Sequence, residues 1–310
     1  ITPTKVVEKD IEVFEVDGIT MEFQNTPGTE APAEMNTWIP GMKALWMAEN
    51  VTATLHNIYT LRGAPVRDPL RWSKYGLEAD VMFASHHWPR WGNARIQEVL
   101  RGQRDLYAHM NNQVLHLANQ GVTINQIHNV YKLPPSIQDA WFLRGYHGSP
   151  EHNSRGVIQR YLGFWDANPT TLIPKSPADS APLYVEMMGG SEKILVRGRE
   201  LVAEGRYLDA TEIVNKLVYA QPQNQEAKDL LADAFEQLGY QQENPGLRNS
   251  FLAGAYELRA DIPTGAMANS SSPDVVRAMS TELFLNFLGI RMDSRKAEGM
   301  RFTINLITPD

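Results

Sequence analysis

Cysteine is absent from the 310 residues of this chain, and its absence narrows the possible chemistry. Without cysteine there is no disulfide bond, no thiolate zinc site and no cysteine nucleophile. Any metal ion must therefore be held by histidine, aspartate and glutamate. A cysteine-free composition fits a periplasmic or secreted bacterial enzyme, but cytoplasmic proteins share it, so the compartment stays open.

Basic blocks and long apolar runs are lacking as well. The formal net charge is -7 and the charges are interspersed. The sequence therefore shows no basic segment of the kind that binds the phosphates of nucleic acid. No run approaches the roughly 20 apolar residues that span a bilayer. We therefore expect neither a nucleic-acid partner nor a membrane span. The hydrophobic content of 43% is that of a globular protein, and the length allows two or three domains.

The first third of the sequence has the patterns of a layered α/β protein. Residues 12–23 alternate on both sides of a central Asp-Gly pair, which predicts a β-hairpin. The apolar runs 44–47 and 81–84 are the size of buried strands, and each leads into a polar loop. Between Asn93 and Gly121 apolar residues recur at helical spacing, which predicts one long helix.

Helical patterns dominate the remainder. A helix is predicted from Ser136 through Leu143, after two prolines. Three or four amphipathic helices are predicted between Ser191 and Arg259, and their middle resembles one tetratricopeptide (TPR) unit and the first helix of the next. Because a repeat array needs about three units, we interpret this segment as a helical module that packs on other helices. A plain helical hairpin is the alternative.

The end of the chain has a different pattern. A polar link at residues 268–273 precedes a predicted helix that Asp274 caps and that continues through Phe284. Residues 301–307 then alternate like a strand that begins a sheet. Because the first residue is Ile and this strand ends the chain, we expect both ends to be cuts inside folded domains.

Three predicted strand-to-loop junctions carry side chains that can bind a metal. Glu30 and Glu34 lie in the loop after the hairpin, Glu49 follows the first apolar run, and His86-His87 follows the second. Taken singly, such residues are more often solvated carboxylates or packed histidines. Taken together, carboxylates and imidazole without thiolate suit Zn²⁺, with Mn²⁺ or Fe as alternatives.

Several separated strings point to a family. They are NTPGTEAPAEM at 25–35, MAEN at 47–50, LHN at 55–57, TLRGA at 60–64, VRDP at 66–69, WSKY at 72–75, FASHHWP at 83–89 and RGY at 144–146. Together they resemble the group III alkylsulfatases, dinuclear zinc hydrolases of the metallo-β-lactamase superfamily that hydrolyse dodecyl sulfate. The resemblance covers essentially the whole chain.

This resemblance implies a site with two zinc ions. Carried over by position, Glu30 would bind one zinc, Glu49 would bridge both, and His86 would bind the other. His87 would then either support a metal ligand from behind or serve as a packing residue. Metal-bound water would be the nucleophile. His56 matches the family's general acid or sulfate-contacting histidine, and a departing oxygen needs such a proton donor. A histidine on a helix face, hydrogen-bonded to a neighbour, is the alternative for His56.

The resemblance also implies residues that bind sulfate. Arg144 and Tyr146 match the family's sulfate-binding stretch, and Asn25 and Thr26 are further candidates. A guanidinium suits this role because it can pair two sulfate oxygens at once. His147 stands where the family would have a second tyrosine.

One signature of the superfamily is missing. The motif His-x-His-x-Asp-His, which supplies the other zinc ligands, occurs nowhere in the chain. Each zinc needs about three protein ligands and a water. We therefore expect a fragment whose missing N-terminal segment supplies the remaining ligands. A dead site is the alternative.

The expected fold class is α/β plus α. Residues 1–117 would be the C-terminal half of a metallo-β-lactamase αββα sandwich, residues 118–267 an all-α, TPR-like dimerisation domain, and residues 268–310 the start of an SCP2-like α/β domain that binds alkyl chains. The expected protein is a zinc-dependent homodimer that hydrolyses alkyl sulfates such as dodecyl sulfate. The alternatives are a non-catalytic interaction or assembly protein and another metallo-β-lactamase-type hydrolase, such as a phosphoesterase.

Overall fold

The computed structural model describes residues 4–72, 78–265, 271–305 and 307. A large unit, Val7–Ile262, carries the sheet and most of the helices, and a small unit consists of residues before Val7 and after Ile262. Within the described ranges, no helix combines the length and the apolar character that crossing a bilayer requires. Most of the string WSKY and part of the predicted polar link at 268–273 lie outside the described residues.

A six-stranded sheet opens the large unit, with the strands in chain order. The strands are β1 (Ile11–Val16), β2 (Ile19–Asn25), β3 (Met35–Ile39), β4 (Ala44–Trp46), β5 (Val81–Phe83) and β6 (Arg90–Trp91). β4 and β5 are parallel, and the other neighbours are antiparallel. The predicted hairpin is confirmed as β1 and β2. Asp17 and Gly18 between them have φ values of 50° and 76°, the positive values that a type I′ turn requires.

Ten helices of the large unit are described. They are α1 (Pro69–Trp72), α2 (Asn93–Asn119), α3 (Ile127–Val130), α4 (Pro135–Gln138), α5 (Pro150–Leu162), α6 (Pro177–Met187), α7 (Ser191–Ala203), α8 (Tyr207–Ala220), α9 (Gln225–Tyr240) and α10 (Pro245–Ala260). The predicted long helix is confirmed as α2, and the predicted amphipathic helices as α7 to α10. The helix predicted through Leu143 is wrong: it is α4 and a separate 3-10 turn, Trp141–Leu143. The carbonyl of Phe142 in this turn accepts a hydrogen bond from the side chain of Gln103, a partner outside its own segment.

Helix α2 joins two hydrophobic cores of the large unit. Its first turns, with Ile96 and Val99, pack under the sheet against Leu45 and Met82. Its later turns contribute Leu106 and Met110 to a second core. The residues that pack on them there include Leu55, Ile58, Ile127 and Val157. The helix thereby fixes the segment around residue 56 relative to the strand ends.

Helices α6 to α9 share an apolar core. Val214, Leu217 and Leu231 are fully or almost fully buried in it. Gly198 lets α7 approach α8 and α9 closely. A Cβ at this position would lie 2.7 Å from Val214 Cγ2 and 2.9 Å from Leu230 Cδ2. The buried members of this core that belong to α7 to α9 lie on the apolar faces that the amphipathic pattern predicted for these helices.

The described part of the small unit contains helices α11 (Pro273–Arg277), α12 (Thr281–Arg291) and α13 (Ser294–Ala297). The helix predicted from Asp274 through Phe284 is interrupted, because the Ser280 side chain accepts the Leu283 N–H and caps a new helix. The predicted terminal strand is wrong for residues 301–305. A strand needs a partner for its N–H and C=O groups, and the described residues of this unit offer none.

Candidate active site

Glu49 and His86 meet because they follow parallel neighbouring strands. Parallel strands end at the same edge of a sheet, where ligands usually bind. Glu49 comes three residues after β4, and His86 three residues after β5. The pairing continues past the strands, since Ser85 N–H donates to the Ala48 carbonyl at 2.7 Å. Glu49 Oε1 consequently lies 3.3 Å from His86 Nε2.

His56 approaches the same carboxylate from another segment. Its Nε2 lies 3.1 Å from Glu49 Oε2. One oxygen of Glu49 and one nitrogen each of His56 and His86 lie within 4.8 Å of one another. The hydrogen bond with His56 is the main cause that lowers the pKa of Glu49 to about 2, against the opposing effect of burial. The carboxylate is therefore ionised at neutral pH, as a metal ligand must be.

Two further carboxylates adjoin Glu49. Glu30 shares hydrogen bonds with both Glu34 and Glu49. Burial, followed by the negative charges of Glu30 and Glu49, raises the pKa of Glu34 to about 7, although the Met35 N–H opposes the rise. Like charges so close together favour a shared proton or a bound cation. This cluster therefore concentrates negative charge that a divalent cation would neutralise.

The backbone of His56 is fixed on several sides. Its N–H donates to Tyr107 Oη at 2.9 Å. Its carbonyl accepts from Asn153 Nδ2 at 2.8 Å, and Asn153 Oδ1 accepts the Ile58 N–H at 3.0 Å. Gly148 packs so closely that a Cβ there would overlap the His56 carbonyl. The position of this imidazole is thus set by α2, by α5 and by the loop between α4 and α5.

Arg67 connects the Glu30 loop to the His56 segment. Its side chain is only 4% exposed. Its Nη2 forms an ion pair with the Glu30 carboxylate, and its Nε donates to the Glu30 carbonyl at 2.7 Å. Its Nη1 donates to the Asn57 carbonyl at 2.8 Å and lies 3.1 Å from His56 Nδ1. Two of the predicted site residues are therefore linked by one buried cation.

Four imidazoles, those of His56, His86, His87 and His147, lie close together beside Glu49. The ring of His147 lies 4.4 Å from that of His86, 5.1 Å from that of His87 and 5.6 Å from that of His56. Burial, and then the positive charges of His86, His56 and His87, lower the pKa of His147 to about 4. His147 is therefore neutral at pH 7.

The predicted sulfate-binding residues lie in different surroundings. Tyr146 packs its ring 5.2 Å from His87, beside the imidazoles. The Arg144 guanidinium instead pairs with Glu243 at 2.9 Å, at a cavity of about 680 Å³. Thr26 is fully buried, and its hydroxyl accepts from Asn50 Nδ2 at 2.9 Å. Asn25 ends β2, and the sulfate-binding roles of all four residues stay predictions.

The structure thus brings together Glu30, Glu49, His56 and His86, whose roles as ligands and acid also stay predictions. Sequence reasoning missed Arg67, His147 and the residues that hold the His56 backbone. Arg67 does lie in VRDP, one of the strings that carry the resemblance, and this was the available signal. Tyr107 and Asn153 gave none, because they are 51 and 97 residues away from His56 along the chain.

Comparison with known proteins identifies the family of this chain. The family model "Alkyl sulfatase dimerisation" matches residues 123–261, and "Alkyl sulfatase C-terminal" matches residues 269–310. A linear primary-alkylsulfatase of Pseudomonas sp. is 45% identical, over 99% of this chain and 47% of its own length. The alkyl/aryl-sulfatase BDS1 of Saccharomyces cerevisiae is 41% identical, over 96% of this chain and 47% of its own length.

The overall fold is also similar to that of solved structures. The stereoselective inverting sec-alkylsulfatase Pisa1 from Pseudomonas sp. superposes with a TM-score of 0.91 at 42% identity, over 96% of this chain and 48% of that one. The chain spans about half the length of the curated relatives named above. The matching strings, the fold and both family models lead to one conclusion: the chain belongs to the alkylsulfatase family.

Proposed function

We propose that the protein carrying this chain is a zinc-dependent alkylsulfatase, which hydrolyses linear alkyl sulfates such as dodecyl sulfate to the alcohol and inorganic sulfate. The observation that carries the proposal is the Glu49 carboxylate, which lies between the Nε2 atoms of His56 and His86. The relatives are named for action on alkyl sulfates, and the same activity is our proposal for this protein.

The donor set fits zinc. Carboxylate and imidazole ligands without thiolate are a common zinc environment, and a cation would further offset the negative charges of Glu30, Glu34 and Glu49, of which Arg67 pairs with Glu30 only. Glu30, Glu49 and His86 would hold the metal, and a complete site would contain two ions with further ligands from outside this chain. Bound zinc would supply positive charge to the sulfate ester and activate water for attack.

The residues of this chain would orient the ester and move a proton. His56 faces the cluster with Nε2, from which it would protonate the departing oxygen. Tyr146 would contact sulfate from the imidazole side. Arg144 would bind sulfate only after its guanidinium leaves Glu243, since one fork cannot pair with both in the same way.

The proposal extends to the architecture of the complete protein. Residues 1–117 would belong to a metallo-β-lactamase-type domain, residues 118–267 to a TPR-like dimerisation domain, and residues 268–310 to an SCP2-like domain. The dimerisation match at residues 123–261 supports a homodimer. A periplasmic or secreted location fits the lack of cysteine.

Metal content and sulfate release test the proposal together. The full-length protein should bind about two zinc ions per subunit and release sulfate from dodecyl sulfate, measured by elemental mass spectrometry and a sulfate assay. Glu49→Gln should lower the zinc content and reduce kcat by about 10³-fold or more. Glu212→Gln, an exposed glutamate of α8, is the matched control and should change neither.

The competing functions give different results in the same assay. Faster hydrolysis of a phosphate ester than of dodecyl sulfate would favour a phosphoesterase. A protein without zinc and without either activity would be an assembly module. Full activity in Glu49→Gln would contradict the metal-binding role of this carboxylate.

A further inference from the structure

We propose that Arg67 is a positioning residue that keeps the His56 proton on Nε2, so that His56 faces Glu49 as a hydrogen-bond donor and is not a metal ligand. This inference rests on the proposed function, because it assigns separate tasks to residues of that site. It also resolves an ambiguity in the geometry, since Glu49, His56 and His86 are close enough to hold one ion as three ligands.

The ring nitrogen of His56 that faces away from Glu49 decides between the two tasks. A histidine that binds a metal directs its other ring N–H to an acceptor such as a carbonyl or carboxylate. The Nδ1 of His56 lies 3.1 Å from Arg67 Nη1, and a guanidinium has only donors. The same Nη1 also donates to the Asn57 carbonyl and to Asn57 Oδ1, so its two hydrogens are shared among three acceptors. A lone pair on Nδ1 is the arrangement that this neighbouring cation favours, because an N–H there would face a positive charge. A neutral imidazole with a lone pair on Nδ1 carries its proton on Nε2.

That proton lies where the site needs one. Nε2 of His56 faces Glu49 Oε2 at 3.1 Å, so its N–H donates to the carboxylate. A metal on this Nε2 would have to displace the proton while Arg67 still donates to Nδ1, which leaves an imidazolate. The contact with Arg67 therefore opposes ligation by His56.

The Asn57 carbonyl is an acceptor that also adjoins Nδ1, at 3.3 Å. This distance exceeds the usual range for an N–H···O bond. The same carbonyl accepts from Arg67 Nη1 at 2.8 Å, so it holds the guanidinium in place. A proton on Nδ1 would point towards the hydrogens of a cation, whereas a lone pair is attracted to them.

Arg67 is itself held firmly enough to do this. Its side chain is buried and paired with Glu30, as a buried charge requires. Its backbone N–H donates to the Ile58 carbonyl at 2.9 Å. The side chain spans both segments because its fork offers donors in several directions, which a lysine ammonium cannot match.

His86 lies in a different environment. Its Nε2 also faces Glu49, at 3.3 Å, but its side chain is 39% exposed. Among the described residues its ring neighbours are other imidazoles, His56 and His147, and no guanidinium approaches it as Arg67 approaches His56. The two histidines are thus divided by their surroundings: His86 is suited to bind metal and His56 to donate a proton.

The test uses the full-length protein with Arg67→Lys, His56→Gln and the double variant. Arg160→Lys is the matched control, because Arg160 binds Val66 and Asp68 on either side of Arg67 without contacting His56. Arg67→Lys, assayed at saturating zinc because Arg67 also pairs with the proposed ligand Glu30, should lower kcat on dodecyl sulfate about 10- to 100-fold with KM unchanged. The double variant should be no slower than His56→Gln alone, and Arg160→Lys should resemble the parent.

Two readouts do not depend on turnover. His56→Gln should keep the parental zinc content. Nitrogen-15 spectra of the histidine side chains, with the His56 signal identified by its loss in His56→Gln, should show protonation at Nε2 in the parent and a changed signal in Arg67→Lys. Both measurements on the parent and on His56→Gln remain decisive if Arg67→Lys does not fold.

Three results would overturn the inference: loss of zinc in His56→Gln, a proton on Nδ1 in the parent, or kcat losses that multiply in the double variant. Absence of sulfate release by the parent would instead reject the proposed function. In that case the spectra and the zinc content would still decide the state of His56.

Discussion

Two regions of the large unit bury different kinds of side chain. The sheet region, residues 7–162, runs from β1 to α5, and the helix region, residues 177–260, runs from α6 to α10. Among the described residues, every buried polar or charged side chain except Asn244 lies in the sheet region. Buried polar groups are costly unless they are hydrogen-bonded. In the sheet region, buried polar side chains such as Asn153 and Arg67 form hydrogen bonds that hold residues of the candidate site.

The helix region is held together mainly by apolar contacts. Ala210, Leu217 and Leu231 are fully or almost fully buried there. Its charged residues form ion pairs at the surface, such as Arg197 with Glu200, and such pairs contribute at most about 1 kcal/mol. A stable scaffold needs only apolar burial, whereas a site also needs polar side chains in fixed directions.

The largest effect on stability is expected in the helix region. Leu217→Ala should lower the free energy of unfolding by about 2–5 kcal/mol, because it leaves a cavity in the core. The kcat of the molecules that remain folded should not change. Urea unfolding and activity per folded protein measure the two effects. Leu208→Ala, on the exposed face of α8, is the control, and a fall in kcat for Leu217→Ala would break the distinction between the regions.

A smaller loss of stability with a loss of activity is expected in the sheet region. Asn153→Ala removes the partners of the His56 carbonyl and the Ile58 N–H, which should cost about 1–3 kcal/mol and also lower kcat. Asn244→Ala removes a buried asparagine that caps α10 and should cost about 1 kcal/mol with kcat unchanged. Equal kcat in the two variants would contradict a positioning role for Asn153.

The carboxylate cluster makes stability depend on pH in the metal-free protein. The pKa of Glu34 is raised to about 7 by burial and by Glu30, so the folded state retains a proton that the unfolded state loses above about pH 4.5. Stability contributed by this proton is present below that pH and is lost as the pH rises through 7. Glu34→Gln should remove the loss.

The measurement is the difference in Tm between Glu34→Gln and the parent after chelation. It should be smallest near pH 4.5, which serves as the internal control, and should grow to about 2–4 °C above pH 7. This corresponds to about 1 kcal/mol, a value reduced for the screening of a half-buried group. A difference that does not change with pH would show that Glu34 is not held protonated by its neighbours.

The smallest effect is expected at the surface of the helix region. Arg197→Ala removes ion pairs with Glu200 and Glu204, at 2.8 Å and 3.1 Å, and should cost less than about 1 kcal/mol. About 1 M salt should reduce this difference further, which is the control. A loss of several kcal/mol would mean that exposed charges stabilise this region more than its apolar core indicates.

Local patterns were sufficient to predict much of the fold. The Asp-Gly turn predicted the hairpin because both residues tolerate positive φ. Helical spacing predicted α2 and the helices α7 to α10, since an amphipathic face must be buried. The patterns failed where a partner decides the outcome, as in the interrupted helix after Asp274 and the predicted terminal strand, which residues 301–305 do not form.

The sequence by itself determined which side chains could act as metal donors, because no cysteine is present and Glu49 and His86 follow predicted strands. Tertiary structure decided what surrounds them. Tyr107 and Asn153 reach His56 only because α2 and α5 pack on its segment, and Arg67 reaches it only because a loop folds back against Glu30. Contacts between residues so far apart along the chain depend on the packing of whole elements, which no local periodicity records.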